Sequence, residues 1–277
     1  MTGKLIKHDL KAGARRMGNI YLSAFIASIA MLFSALIESG IIMKFLTSSA
    51  VVIIASVAVI VTFASIVFGA NKSLFGREGY LTQTLPVRTS SLIFAKWFSS
   101  SIWLVISYSF CVVAIFSIFI YWTTKNQQGA EFYDMIYSFL QSFGIGAETV
   151  YKKYFIVVAL IALFNTCILV MFILFAITLS NIRPFHKLGS FGVILYLALT
   201  IFVIQGISNG LAELCDITMI IDATGAVSMT VSKEAIALAA MQGGMTVGFT
   251  GVYFKTIATI FLYILTVQLT ESKINLK

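Results

Sequence analysis

Lys255, Asn165 and Gln205 are the polar side chains set deepest in the apolar stretches of this 277-residue chain. They offer one ammonium and two amides, which is chemistry for binding rather than for breaking bonds. Nothing around them completes a reaction centre. The two histidines, His8 and His186, fall in charged segments outside the apolar runs. Cys111, Cys167 and Cys215 are scattered, with no CxxC pair, and read as small packing residues. No HExxH, GxSxG or paired acidic motif supports hydrolysis, and no GxxxxGK[ST] loop is present to cradle ATP. The chain therefore reads as a non-enzyme with no metal or cofactor of its own. The apolar runs hold almost no carboxylate, which weighs against proton or sodium coupling, since gradient-driven carriers keep such groups at membrane depth.

The elements that must position these residues follow from composition. The chain is 59% hydrophobic and 11% charged, whereas soluble domains carry about 25% charged residues. Its apolar residues gather into charge-free runs long enough to cross a hydrocarbon core of roughly 30 Å as helices. The dyad alternation of a membrane barrel is absent. The expectation is an all-α polytopic membrane protein, one transmembrane domain over residues 1–277, with spans at about 19–37, 49–70, 97–122, 154–182, 188–208 and 249–270. A cleaved signal peptide is the rival for the first run, which is longer than the usual apolar region of such a leader. Lys255 then lies about two turns inside the last span. Its stem either snorkels to the outer interface or reaches a central cavity and touches substrate. Asn165 and Gln205 read as interhelical hydrogen-bonding residues, with substrate contact the alternative.

Charge gives the orientation. With the N-terminus inside, thirteen of the nineteen cations but only Asp9, Glu78 and Glu271 among the anions fall in inner segments. Both termini are thus expected in the cytoplasm, and the net charge of +8 is a topology signal that requires no nucleic acid. Lys4, Lys7, Lys11 and Arg15 share one helical face and Ile6, Leu10, Ala14 and Met17 the other. That pattern predicts an interfacial helix over 1–18 lying flat on the inner leaflet, its cations near anionic lipid headgroups. Phe132, Met135, Ile136, Phe139, Leu140 and Phe143 predict a second surface helix on the outer side. The stretch from Asn209 to Gly248, with "AIALAAMQGGMTVG" running into the last span, is expected to form a re-entrant or outer-leaflet hairpin broken at "QGG". One long tilted helix is the alternative.

Four charges and one of the two prolines lie between the second and third apolar runs, in "FGREGYLTQTLPVRTSSLIFAKWF", Phe75 to Phe98. "GREGYLTQTL" suits two or three helical turns, with Tyr80, Leu81 and Leu85 as apolar contacts. Pro86 stops that helix, because proline disfavours helix in the residue before it. Thr89 or Ser90 can cap the helix that follows, and Lys96 and Trp97 sit where interface anchors belong. Residues 71–96 thus form a small cytoplasmic knob suited to docking a soluble partner, or else an ordinary connecting loop.

"REGYLTQTLPVRTSSLIFAKW" resembles the cytoplasmic segment of type II ABC exporter permeases of the bacterial peptide and drug export kind. In that family an acidic residue and a core like "GYL.TLPV" precede a helix with a lysine just before the third span. The six-span layout, basic N-terminal helix and long outer segment before the last span match in outline. The resemblance implies a coupling helix seated in a cleft of a separate ATP-binding subunit. Arg77 and Glu78 would supply its charged contacts, Tyr80, Leu81 and Leu85 would fill the apolar part, and Pro86 would fix the angle into the third span. It further implies two permeases, identical or homologous, with two ATPases carrying ATP and magnesium, in a bacterial plasma membrane. The substrate class that suits Phe-rich spans is a hydrophobic or amphipathic molecule, such as a small bacteriocin or toxin peptide. The rival is a membrane scaffold or sensor that recruits a cytoplasmic partner without moving any substrate.

Overall fold

A computed structural model of the chain describes residues 2–36, 41–76, 88–125, 148–182, 189–215, 217–222, 226–241 and 244–273. The elements are α1 (Thr2–Leu36), α2 (Ile41–Leu74), α3 (Thr89–Lys125), α4 (Glu148–Ser180), α5 (Gly189–Leu214), β1 (Thr218–Ile221), β2 (Val227–Thr230), α6 (Lys233–Met241), β3 (Met245–Gly248) and α7 (Thr250–Lys273). They divide into two compact units, α1–α3 in the first and the remaining elements in the second. Neither proline, Pro86 or Pro184, falls within a described helix.

Five described helices are long and apolar enough to cross a membrane: Ser48–Leu74, Thr89–Val112, Ile156–Ser180, Phe191–Leu214 and Thr250–Glu271. They contain or overlap the five expected spans from 49–70 to 249–270, and the chain is a multi-pass helical membrane protein. Their outward faces carry Ile60, Phe68 and Phe202, each more than 60% exposed, as lipid requires. Hydroxyls within these helices are kept from lipid locally. Thr62, Thr166, Thr178, Thr200, Thr266 and Thr270 each donate to the carbonyl four residues back, at 2.6–2.9 Å. In hydrocarbon a polar group must find such a partner.

In the first unit, α1 runs antiparallel to α2 and parallel to α3. Arg16 meets Gly69 and Tyr21 meets Thr62 on α2, while Asp9 meets Lys96 and Tyr21 stacks on Trp103 and Phe110 of α3. The expected flat helix over 1–18, separate from a span beginning at 19, is corrected here: α1 is one uninterrupted helix. Two features hold its N-terminal half against the other two helices. Gly13 has no Cβ, and the Trp103 indole occupies the space that a Cβ would take. Asp9 is paired with Lys96. The cations Lys4, Lys7 and Lys11 remain on the exposed side.

In the second unit, α4 packs with α5 and α7, and α5 packs with α7. The segment after α5 corrects a second expectation. In place of a re-entrant hairpin it folds into an antiparallel sheet of order β2-β1-β3 with the short α6. The register puts Met219 opposite Met229 and Val247, and Ile221 opposite Val227 and Met245, so one face is wholly apolar. Met219 and Ile221 pack there with Val157, Met245 and Phe249. An open sheet with unpaired edges is not tolerated in contact with hydrocarbon, and the central strand of this sheet is buried in protein along its whole length. The break at "QGG" does occur: α6 ends at Met241 and β3 begins at Met245. The expected surface helix through Phe132 to Phe143 lies outside the described residues.

Candidate functional site

Residues 77–87 lie between two hydrogen-bonded helix ends. At the end of α2, the amides of Phe75 and Gly76 donate to the Asn71 carbonyl at 3.0 and 3.1 Å, and Leu74 is buried. At the start of α3, the Arg88 carbonyl accepts from Ser91 at 2.9 Å and Leu92 at 3.3 Å. The cap position is thus Arg88, one residue ahead of the expected Thr89 or Ser90. Leu92, Ile93 and Ala95 are buried immediately behind it. Arg77, Glu78, Tyr80, Leu81, Leu85 and Pro86, the residues expected to dock a partner, lie outside the described residues.

Lys96, expected as an interface anchor, has a partner on α1. Its ammonium donates to both Asp9 oxygens, at 3.1 and 3.3 Å. The pair is partly buried, with side-chain exposures of 11% for Lys96 and 25% for Asp9, so it fastens α1 to α3 about two turns along α3 from Arg88. Beside it Phe94 packs on Trp97 and Phe98 at centroid distances of 5.7 and 6.2 Å, an aromatic girdle of the kind that marks the membrane–water boundary. A cavity of about 50 Å³ lies under the pair, bounded by Gly13, Met17, Ser99 and Trp103 among others. Further along, the Tyr21 hydroxyl shares a 2.9 Å hydrogen bond with Thr62. Its ring stacks on Trp103 and Phe110 at 6.0 and 5.4 Å.

Sequence reasoning did not see this fastening. One signal was present: Asp9 is the single carboxylate of α1, set among five cations. On a flat surface helix near anionic lipid that carboxylate would be unfavourable; against Lys96 it is a partner.

The three polar residues expected along a substrate path are distributed over α4, α5 and α7. Asn165 and Lys255 are half-buried, while Gln205 is exposed. Among the described residues no hydrogen bond or ion pair joins any two of them. Gln205 donates instead to Asn209 Oδ1 at 3.0 Å on its own helix, in place of the interhelical bond expected. Lys255 stands six residues past Phe249, which packs under the sheet; at 1.5 Å per residue that is about 9 Å along α7.

The joint between sheet and helices is made by Thr250, a residue the sequence did not flag. Its hydroxyl accepts from the Ile217 amide at 2.7 Å and donates to the Cys215 carbonyl at 2.8 Å. The Phe249 amide donates to the Ile217 carbonyl at 2.7 Å. The first turn of α7 is therefore tied to the chain leaving α5.

Among the described residues, no group of three His, Cys, Asp or Glu side chains stands together to hold a metal. The arrangement among the described residues offers interhelical fastening and closed helix ends on either side of residues 77–87. Comparison with known proteins gives no match: no family model, no curated protein and no solved structure is significantly similar to this chain.

Proposed function

We propose that the chain is the permease subunit of an ATP-driven exporter, coupled through residues 77–87 to a separate ATP-binding subunit. The supporting observation is the bracket around that segment. It leaves α2 and enters α3 through hydrogen-bonded, buried helix ends, and the Asp9–Lys96 pair ties α1 to the same place. A lever works only if its base is stiff, and this base joins three long helices. The resemblance of "REGYLTQTLPV" to the family's coupling segment gives the lever its partner. Two copies of the chain, or this chain with a homologous one, would surround the path, with two ATPases below. The cargo that suits the Phe-rich spans is a hydrophobic or amphipathic molecule such as a small peptide.

The test is Glu78→Arg in the complex of this chain with an ATP-binding cassette protein encoded beside it. The expected result is loss of at least nine-tenths of transport-coupled ATP hydrolysis, with membrane insertion unchanged. Uptake of a peptide panel into reconstituted vesicles reads the cargo. Partner binding without ATP-dependent uptake would favour a recruiting scaffold instead, and unchanged transport by the variant would remove the docking role.

A further inference from the structure

We propose that the groove between α1 and α2 binds the headgroup of an anionic phospholipid. It is an open groove of about 480 Å³ lined by Arg16, Ala64, Ser65, Phe68, Gly69 and Lys72 among others.

The α2 residues of the groove occupy the last turns of the span Ser48–Leu74, the level at which a bilayer changes from acyl chain to headgroup. Polarity grades along the groove in the same sense. Lys72 stands nearest the helix end and is exposed. One turn deeper come Gly69 and Phe68, and a further turn deeper Ser65 and Ala64. Phe68 is 63% exposed and offers a wall for an acyl chain. The end of the groove nearest the helix terminus therefore carries charge, while the deeper lining is uncharged with Phe68 as its large apolar wall, which suits a headgroup above and an acyl chain below.

Arg16 is held ready for a phosphate. Its guanidinium lies on α2 in the space that a Cβ of residue 69 would fill, so glycine there is a condition of the arrangement. Its Nε donates to the Ala12 carbonyl at 3.4 Å, which fixes the fork along its own helix. The only carboxylate of α1, Asp9, is held by Lys96, so the local acid does not neutralise Arg16. A guanidinium pairs with phosphate through two parallel hydrogen bonds, where an ammonium acts as a point charge. Arg16 would thus orient the phosphodiester and Lys72 would add attraction at the mouth. The reading needs only that the chain sits in a bilayer and stands independently of the exporter proposal.

The experiment titrates the purified full-length chain in neutral detergent with short-chain phosphatidylglycerol, phosphatidylcholine and free glycerol phosphate, read by native mass spectrometry. The expected outcome is retention of phosphatidylglycerol well above phosphatidylcholine, with glycerol phosphate not retained. Arg16→Gln and Lys72→Gln should each weaken retention about fivefold, the usual worth of one cation at an anionic surface. Arg16→Lys should fall between Arg16→Gln and the wild type. Arg16, Lys72 and Arg15 are all exposed, so these variants keep the fold. Arg15→Gln neighbours the groove without lining it and should bind as wild type. Equal retention of the two lipids overturns the site. So does a loss with Arg15→Gln as large as with Arg16→Gln, which would mean diffuse attraction to a basic helix. Retention of glycerol phosphate as strong as that of the lipid would make this a soluble-phosphate site and also overturn the proposal.

Discussion

Each unit packs three long helices together, and the side-chain bonds that cross between helices fall in different places in the two. In the first, polar side chains reach across from helix to helix: Asp9 to Lys96, Tyr21 to Thr62, and the Cys111 thiol to the Ala55 carbonyl at 3.5 Å. In the second, many polar side chains turn back on their own helix. Gln205 meets Asn209, and Thr166, Thr178, Thr200, Thr256, Thr259, Thr266 and Thr270 meet the carbonyls one turn earlier. The conspicuous cross-link of the second unit lies at its sheet end, where Thr250 ties α7 to the chain leaving α5. A side chain bonded within its helix leaves that helix able to shift against its neighbours, while a side chain bonded across two helices fixes their register. In the first unit the cross-helix bonds fix the register of α1 against α2 and α3, the two helices that flank residues 77–87.

Three substitutions would break or sharpen this contrast. The largest effect is expected from Asp9→Ala, which strands a mostly buried ammonium. Removing one partner of such a pair costs about 2–3 kcal/mol after allowance for the partial exposure of Asp9. Thermal unfolding of the purified protein should show the loss. The double variant Asp9→Ala with Lys96→Met should recover most of it, because it leaves no unpaired charge. A double variant no more stable than the single one would show that the lost attraction between the two side chains, rather than a stranded ammonium, carries the cost.

A middle effect is expected from Thr250→Val, which deprives the Ile217 amide of its acceptor at nearly constant volume. The cost of such an orphaned buried donor is about 1–3 kcal/mol, and it should be local. Hydrogen exchange should quicken in β1 and at the start of α7 while α1, α2 and α3 keep their protection. Uniform acceleration across both units would erase the distinction between them. The smallest effect belongs to Gln205→Ala. An exposed bond between positions four apart on one helix is worth about 0.2–0.5 kcal/mol, close to the limit of a melting measurement. A larger loss of stability would place Gln205 in a contact beyond its own helix.

Much of the second to sixth spans was legible because lipid imposes a simple demand: a run of apolar residues of sufficient length, with cations left at one end. Those runs stand in the sequence without reference to any other part of the chain. The course of α1 was not legible. Its N-terminal pattern of Lys4, Lys7, Lys11 and Arg15 opposite Ile6, Leu10 and Met17 has the helical period whether the helix lies flat or packs upright. What decides is the fit of Trp103 against Gly13 and of Lys96 against Asp9, contacts between residues nearly ninety positions apart. The sheet was missed for another reason. Its strands are four residues each, too short for a period of two to stand out against a background already rich in Met, Val and Ile. Seen in register, Val227, Met229, Met245 and Val247 do alternate with polar neighbours, while β1 between them is apolar at Met219, Ile220 and Ile221 alike. Of the residues the sequence singled out, Lys96 has a partner that was not foreseen, and Gln205 was given a helix-to-helix bond where it makes a local one.

The unbroken course of α1 has a practical consequence. A rod with no joint cannot absorb a push by folding, so a load hung on its amino-terminal end is passed to the ring stack of Tyr21, Trp103 and Phe110. Bulky fusions placed at that end will strain the interior of the first unit.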